Sequence, residues 1–331
     1  MTIVEDPRIP VTILTGFLGA GKTTLLNHVL TADHGQKIAV IVNEFGEVGI
    51  DNQLVIGADE EIFEMNNGCI CCTVRSDLID ILRGLLGAKF GETERKIDFD
   101  RVLIETTGLA DPAPVAQTFF VDEIVSNFFK LDSIVTVVDA KHAEQHLDEG
   151  HEAQEQVAFA DVLLLNKVDL VEPEDLVRLE NRLTHMNPQA KIHRTEQSSI
   201  SMDYVLGLNA FDLDKKLEIE PGFLEEEHHH HDDDVFCIAL TEDRPLDLDK
   251  VNEFINEWLV EHGPDTFRYK GILNLHNVSK RVIFQGVHML FGTQIDRAWK
   301  ENEPRRSEIV IIGRNLDEQW FRSNFACCVS V

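Results

Sequence analysis

The chain of 331 residues carries 30 basic against 59 acidic side chains, a formal net charge of −29, with 43% hydrophobic and 27% charged residues. That length suits two domains with hydrophobic cores of their own, and the composition is that of a soluble globular protein. So acidic a surface repels phosphate backbones and anionic bilayers, which argues against nucleic acid or a membrane as partner and favours cations.

The opening "MTIVEDPRIPVTIL" has no basic stretch leading into an apolar segment and no small-residue cleavage site, and no apolar run in the chain reaches membrane length. A cytoplasmic protein is expected, with its thiols reduced, so clustered cysteines read as metal-binding or redox-active. An apolar strand at 11–15 runs straight into "GFLGAGKTT", residues 16–24. This fits G-x-x-x-x-G-K-[ST] with Gly16, Gly21, Lys22 and Thr23, and a helix over 22–30 follows. In such a loop the backbone of Gly16, Gly19, Ala20, Gly21 and Thr24 curls around phosphates. Lys22 brings a positive charge to the β and γ groups, and the Thr23 hydroxyl is a ligand for Mg²⁺. The helix adds the positive end of its dipole.

A second strand is expected at 37–44, leading into "VNEFGEVGID". Next, "NNGCICC" packs Cys69, Cys71 and Cys72 into four residues ahead of a helix over 76–86. Side chains two apart in an extended segment share a face, and a tight turn can add the adjacent one. Three thiolates select Zn²⁺ or similar soft and borderline ions, and a helix start beside them lowers thiol pKa values. A metal site with an open fourth position, a disulfide-based redox switch and a buried structural cluster all remain readings of these cysteines.

"RVLIETTG" (101–108) is a strand ending in Glu105, where phosphate-loop enzymes place the carboxylate that serves Mg²⁺; the Gly108 N–H can sense a γ-phosphate. A strand at 133–140 and a helix at 152–160 precede the strand 161–167, whose end reads N-K-x-D: Asn166, Lys167 and Asp169. A carboxylate at Asp169 can accept from both N1 and N2 of guanine, and adenine offers no such pair, so GTP is the expected nucleotide. A helix at 174–183 and a strand at 190–195 complete the pattern. Near-continuous Val/Ile/Leu strands separated by helices indicate a doubly wound α/β domain over 1–207.

Residues 208–234 read as an acidic linker. Its "EEEHHHHDDD" sets His228, His229, His230 and His231 among carboxylates, a composition suited to weak, exchangeable binding of Zn²⁺, Ni²⁺ or Co²⁺. From 235 to 331 a smaller α+β domain is expected. It has strands in "VFCIAL", "RYKGILNLH", "RVIFQGVHML" and "SEIVIIGRNL", and helices in "LDKVNEFINEWLV" and near "DEQWFRSNFA". Cys327 and Cys328 are expected to be packing or helix-end residues.

The phosphate loop, "ETTGLADP", "NKVD" and "GCICC" together resemble the CobW-type GTPases, a family of metal-handling P-loop GTPases. "VNEFGEVGID", "EQVAFADVLLLNKVDL", "QGVHMLF" and "IGRNLD" extend the likeness over nearly the whole chain. The resemblance implies slow, Mg²⁺-dependent GTP hydrolysis with Lys22, Thr23 and Glu105 as catalytic residues. It couples this to delivery of a transition metal to a metal-requiring client. Zinc is the first choice of metal, and a cobalt chaperone for cobalamin synthesis is an alternative. Cys69, Cys71 and Cys72 become the cargo ligands, and Glu44 and Glu47 become candidates for a further metal ligand or a Mg²⁺ partner. One segment departs from the family pattern: "RTEQSSISM" (194–202) lacks the glycine many members carry in the last base-contacting loop. A redox-sensing regulatory GTPase and a passive metal buffer are the competing functions.

Overall fold

A computed structural model describes residues 6–42, 62–64, 73–91, 96–210 and 234–330. Cys69, Cys71, Cys72, Glu44, Glu47 and His228 to His231 lie outside the described residues. The chain divides into two compact units, residues 1–180 with 190–211 and residues 181–189 with 212–331.

In the first unit seven strands form one sheet: β1 (Ile9–Thr15), β2 (Ile38–Val42), β3 (Ile62–Glu64), β4 (Arg101–Glu105), β5 (Phe129–Asp139), β6 (Val162–Asn166) and β7 (Lys191–Thr195). Their order is β3-β2-β4-β1-β5-β6-β7 and every pairing is parallel. The connecting helices are α1 (Lys22–Thr31), α2 (Thr73–Phe90), α3 (Ala113–Val121), α4 (Glu123–Phe128), α5 (Ala143–Glu149), α6 (His151–Phe159) and α7 (Pro173–Met186). β4 and β6 are buried at every residue, which is why they read as unbroken apolar runs rather than as alternations. Leu14, Leu25, Val29, Val40, Leu103, Val137 and Leu164 share one core. The strand order reverses at β1, which lies between β4 and β5, and the crevice at such a switch point is where doubly wound sheets bind ligands.

β5 starts at Phe129, four residues before the expected 133, because Phe129, Lys130 and Leu131 pair with Ile9, Pro10 and Val11 of β1; Asp132, fully buried, sits at the register shift that follows. Its carboxylate accepts from Arg101 at 2.7 Å, from Thr12 Oγ1 at 3.3 Å, and from the backbone N–H groups of Gly207, Leu208 and Asn209 at 3.1, 3.3 and 2.7 Å. The ion pair thus sits inside the sheet and also ties down the segment that follows β7.

In the second unit β8 (Val235–Glu242), β9 (Thr266–Leu273), β10 (Lys280–Val287), β11 (Leu290–Ala298) and β12 (Ser307–Arg314) form an antiparallel sheet of order β11-β10-β9-β12-β8. Its helices are α8 (Leu248–His262) and α9 (Glu318–Cys327). Asp247 caps α8 through the N–H groups of Asp249 and Lys250, and Asp317 caps α9 through that of Trp320. Phe254 and Trp258 of α8, Phe321 and Phe325 of α9, and Tyr269 and Phe284 of the strands pack in one core.

The expected strand "RVIFQGVHML" overruns β10 by its last three residues, and the strand that follows it, β11, was not expected. β10 ends at Val287, which faces Leu290 across a turn of His288 and Met289, with His288 at φ 50°. This hairpin carries none of the Asn-Gly or Asp-Gly signals by which two-residue turns are usually recognised. At the end of α9, Cys327 is exposed, whereas burial pushes the Cys328 thiol up to about 12.

Candidate functional site

β1 delivers the chain into the loop 16–21, where glycine is required sterically. Gly16 has φ 138°, and a Cβ there would fall 2.2 Å from the Val137 carbonyl oxygen of β5. Gly21 has φ 113°, and its Cβ would meet Asn166 Nδ2 at 2.5 Å. Lys22 opens α1 and is 8% exposed; its Nζ folds over the loop to donate to the carbonyls of Gly16 at 2.8 Å and Phe17 at 3.3 Å. Thr23 Oγ1 donates to Glu105 Oε1 at 3.2 Å, so the hydroxyl and the carboxylate come together from α1 and from the end of β4. Two hard oxygen donors at the mouth of a phosphate loop fit Mg²⁺. Gly108 lies against the same loop, since a Cβ there would approach Leu18 N to 2.7 Å. Its carbonyl is held from behind: the buried Gln156 carboxamide of α6 donates to Gly108 O at 3.2 Å and to Ala110 O at 3.1 Å.

On the other side of the loop, the ends of β5, β6 and β7 bring Asp139, Asn166 and Thr195 into register. Asn166 Nδ2 donates to Ala20 O at 2.9 Å and Ser198 Oγ at 3.1 Å, while Oδ1 accepts from Thr195 Oγ1 at 3.1 Å and Ser198 N at 2.9 Å. Lys167 adopts φ 62° and donates to Gly19 O at 2.8 Å and Asp139 Oδ2 at 2.7 Å. Burial pushes the Asp139 carboxyl up, but the hydrogen bonds from Lys167 and His142 outweigh it and hold the group below its ordinary value. Asp169 is exposed in the turn Val168–Leu170, and Thr24 is exposed on α1.

The segment that lacks the family's glycine still turns sharply. Gln197 and Ser198 take φ 50° and 55°, the left-handed region usually left to glycine, and Ser198 is fixed there by Asn166 and by its own bond to Gly21 O at 3.1 Å. The sequence did not single out Asp139, Gln156 or Ser198. A strand-terminal Asp in register with the Asn of N-K-x-D is the one signal that pointed to any of them. Among the described residues no three His, Cys, Asp or Glu side chains converge to hold a metal ion, and none of the described helices is long and apolar enough to cross a membrane.

Residues 10–194 match the CobW/HypB/UreG nucleotide-binding domain, and residues 236–329 match the cobalamin synthesis protein cobW C-terminal domain. The zinc chaperone YjiA of Escherichia coli (strain K12) is 39% identical over 319 residues, covering 96% of this chain and 98% of that protein. The zinc chaperone CobW of Pseudomonas aeruginosa is 37% identical over 344 residues, covering 94% and 89%. The crystal structure of Zn(II)-bound YjiA GTPase from E. coli superposes with a TM-score of 0.79 at 34% identity, over 98% and 99% of the two chains.

Proposed function

This chain belongs to the CobW family of P-loop GTPases, and from that premise we propose that it is a cytoplasmic, GTP-dependent metallochaperone that delivers a transition metal, zinc foremost, to a client protein. The nucleotide half of the reading is carried by one juxtaposition. Lys22 Nζ lies over the loop carbonyls while Thr23 Oγ1 meets Glu105 Oε1 at 3.2 Å. The metal half is supported by the likeness to two zinc chaperones over more than nine-tenths of the chain.

In this reading Lys22 exchanges its carbonyl partners for the β- and γ-phosphates, a charge-assisted replacement for neutral acceptors. Loop N–H groups and the N-terminus of α1 take the remaining phosphate charge. Thr23 and Glu105 would hold Mg²⁺, and the ion would supply neutralisation of the charge that develops on the transferred phosphoryl group. Asp169 accepts from guanine, with Lys167 fixed beside it by Asp139. Gly108 presents its N–H toward the γ-phosphate while Gln156 retains its carbonyl. No arginine finger in cis is identified among the described residues, and turnover in this reading is slow, on the order of 10⁻⁴ to 10⁻² per second.

Cys69, Cys71 and Cys72 hold the cargo in an incomplete shell, from which a client's ligand can take it. They lie in sequence between "NEFGEVGID" and "ETTG", the two stretches best suited to respond to a γ-phosphate. GTP therefore tightens the thiolate site and hydrolysis loosens it. Linkage makes this strict: whatever factor GTP adds to metal affinity over GDP, metal adds to GTP affinity over GDP. The test is Zn²⁺ affinity in the GTP and GDP states, with thiols reduced, and nucleotide preference with and without Zn²⁺. A coupling of about 5- to 150-fold is expected. Equal Zn²⁺ affinity in the two states would eliminate the GTP-driven chaperone.

A further inference from the structure

Helix α5 begins beside Asp139 and carries His142 at its N-terminal boundary, His146 one turn on and Glu149 a turn further. The spacings i, i+4 and i+7 place all three on one face. The ring centres of His142 and His146 are 6.0 Å apart. Both rings are held. His142 Nδ1 lies 3.1 Å from Asp139 Oδ2, which leaves Nε2 to face elsewhere, and His146 packs on the Phe17 ring of the phosphate loop at 4.3 Å. A carboxylate on one imidazole nitrogen is the arrangement that presents the other nitrogen to a metal ion. Glu149 is exposed and accepts from Gln145 Nε2 at 3.0 Å.

We propose that His142 and His146 form a second transition-metal site, its shell completed by water, whose occupancy is relayed to the bound nucleotide through Asp139. Two imidazole nitrogens about 2.0–2.1 Å from one ion bring the ring centres to roughly 5 Å. From the observed 6.0 Å, a small shift of the exposed His142 side chain, pivoting on its Asp139 contact, closes that gap. Two imidazoles with solvent make an exchangeable site for Zn²⁺, Ni²⁺ or Cu²⁺, not one for Mg²⁺ or Ca²⁺.

The relay follows from one shared atom. Asp139 Oδ2 accepts from both His142 Nδ1 and Lys167 Nζ, and Lys167 also donates to Gly19 O of the phosphate loop. A metal ion on Nε2 withdraws electron density from the ring, strengthens Nδ1–H as a donor and draws Oδ2 away from Lys167. The Lys167–Gly19 link slackens and the nucleotide leaves sooner. The site uses none of the three cysteines and does not rest on their role.

The test uses the full chain with Cys69, Cys71, Cys72 and His228 to His231 replaced by Ser, so that neither the cysteine motif nor the histidine tract contributes. Calorimetric titration with Ni²⁺ should show one binding event, weakened at least tenfold by His142→Asn and by His146→Gln, with circular dichroism confirming that each variant is folded. Saturating Ni²⁺ should speed release of a fluorescent GDP analogue about fivefold, the lower end of usual couplings. Asp139→Asn should weaken the binding event, and at Ni²⁺ raised to saturate the weakened site it should lose the acceleration, judged against its own faster metal-free release. No binding up to millimolar Ni²⁺, or binding indifferent to both histidine substitutions, would overturn the site. An acceleration that survives Asp139→Asn would overturn the relay. Either failure leaves the cysteine cargo reading standing.

Discussion

The ammonium of Lys167 lies 2.7 Å from Asp139 Oδ2, joining the ends of two neighbouring strands. Because the same ammonium reaches Gly19 O, this ion pair positions the phosphate loop against the base side of the site. Asp139→Asn removes the charge and keeps the shape. Hydrogen bonds to charged groups contribute about 1.5–3 kcal/mol, so GDP affinity should fall roughly 10- to 150-fold, measured by equilibrium titration. The pH dependence has a definite sign. A carboxyl whose folded pKa lies below its unfolded value stabilises the fold above the unfolded value, about 3.9. That contribution disappears as pH falls through the lowered one, so this contact should be indifferent to pH from 8 down to about 5.

Asp169→Asn exchanges one of the two acceptor oxygens facing guanine for a donor. GTP binding should weaken and XTP binding should improve, because xanthine offers a carbonyl where guanine offers an amine. Competition between the two nucleotides reads this out directly. Unchanged GTP affinity would remove Asp169 from the base site.

Lys22→Ala deletes the charge over the phosphate loop. Phosphate release should drop to the level of buffer, while thermal stability measured without nucleotide changes little more than a buried-lysine truncation requires. Wild-type turnover of tens of GTP per second would contradict a slow switch.

The Arg101–Asp132 pair is 5% and 0% exposed, so Asp132→Ala leaves a buried guanidinium without its counter-charge. It also strips the acceptor from three backbone N–H groups at 207–209. A loss of about 3–5 kcal/mol is expected in urea unfolding. Replacing both partners with Leu should cost less, since no orphaned charge remains, but it keeps the cost of the three backbone N–H groups left without their acceptor.

In a background with Cys69, Cys71 and Cys72 replaced by Ser, native alkylation at neutral pH should modify Cys327 and spare Cys328. The two thiols are neighbours in sequence, yet burial holds the second at about 12, so its thiolate is scarce. Mass spectrometry of the terminal peptide separates the two outcomes.

The parallel strands were legible because burial on both faces leaves no room for polar alternation: β1, β4 and β6 announce themselves as Val, Ile and Leu. The helices α4 and α5, of six and seven residues, are too short to display a helical period. β3 has three residues and no pattern at all. In the second unit the His288–Met289 turn hid a hairpin because it lacks the residues that favour positive φ. The phosphate loop was readable for a steric reason, since Gly16 and Gly21 admit no side chain. Asp139, Gln156 and Ser198 were not. Each acts through a partner far away in sequence, and a lone Asp, Gln or Ser looks the same whether solvated or bound.

Asn166 uses its whole carboxamide, two donors and two acceptors, on protein groups from two separate segments, the phosphate loop and the stretch 195–198. The phosphate loop is therefore shaped by the protein's own scaffold, and nucleotide need not fold it on arrival. Preorganisation of this kind removes an ordering cost from affinity and a slow isomerisation from the encounter. Observed association rates should climb linearly with nucleotide concentration, without the plateau that marks a rate-limiting rearrangement. Asn166→Asp keeps both acceptors but destroys both donors, and should bring that plateau into view.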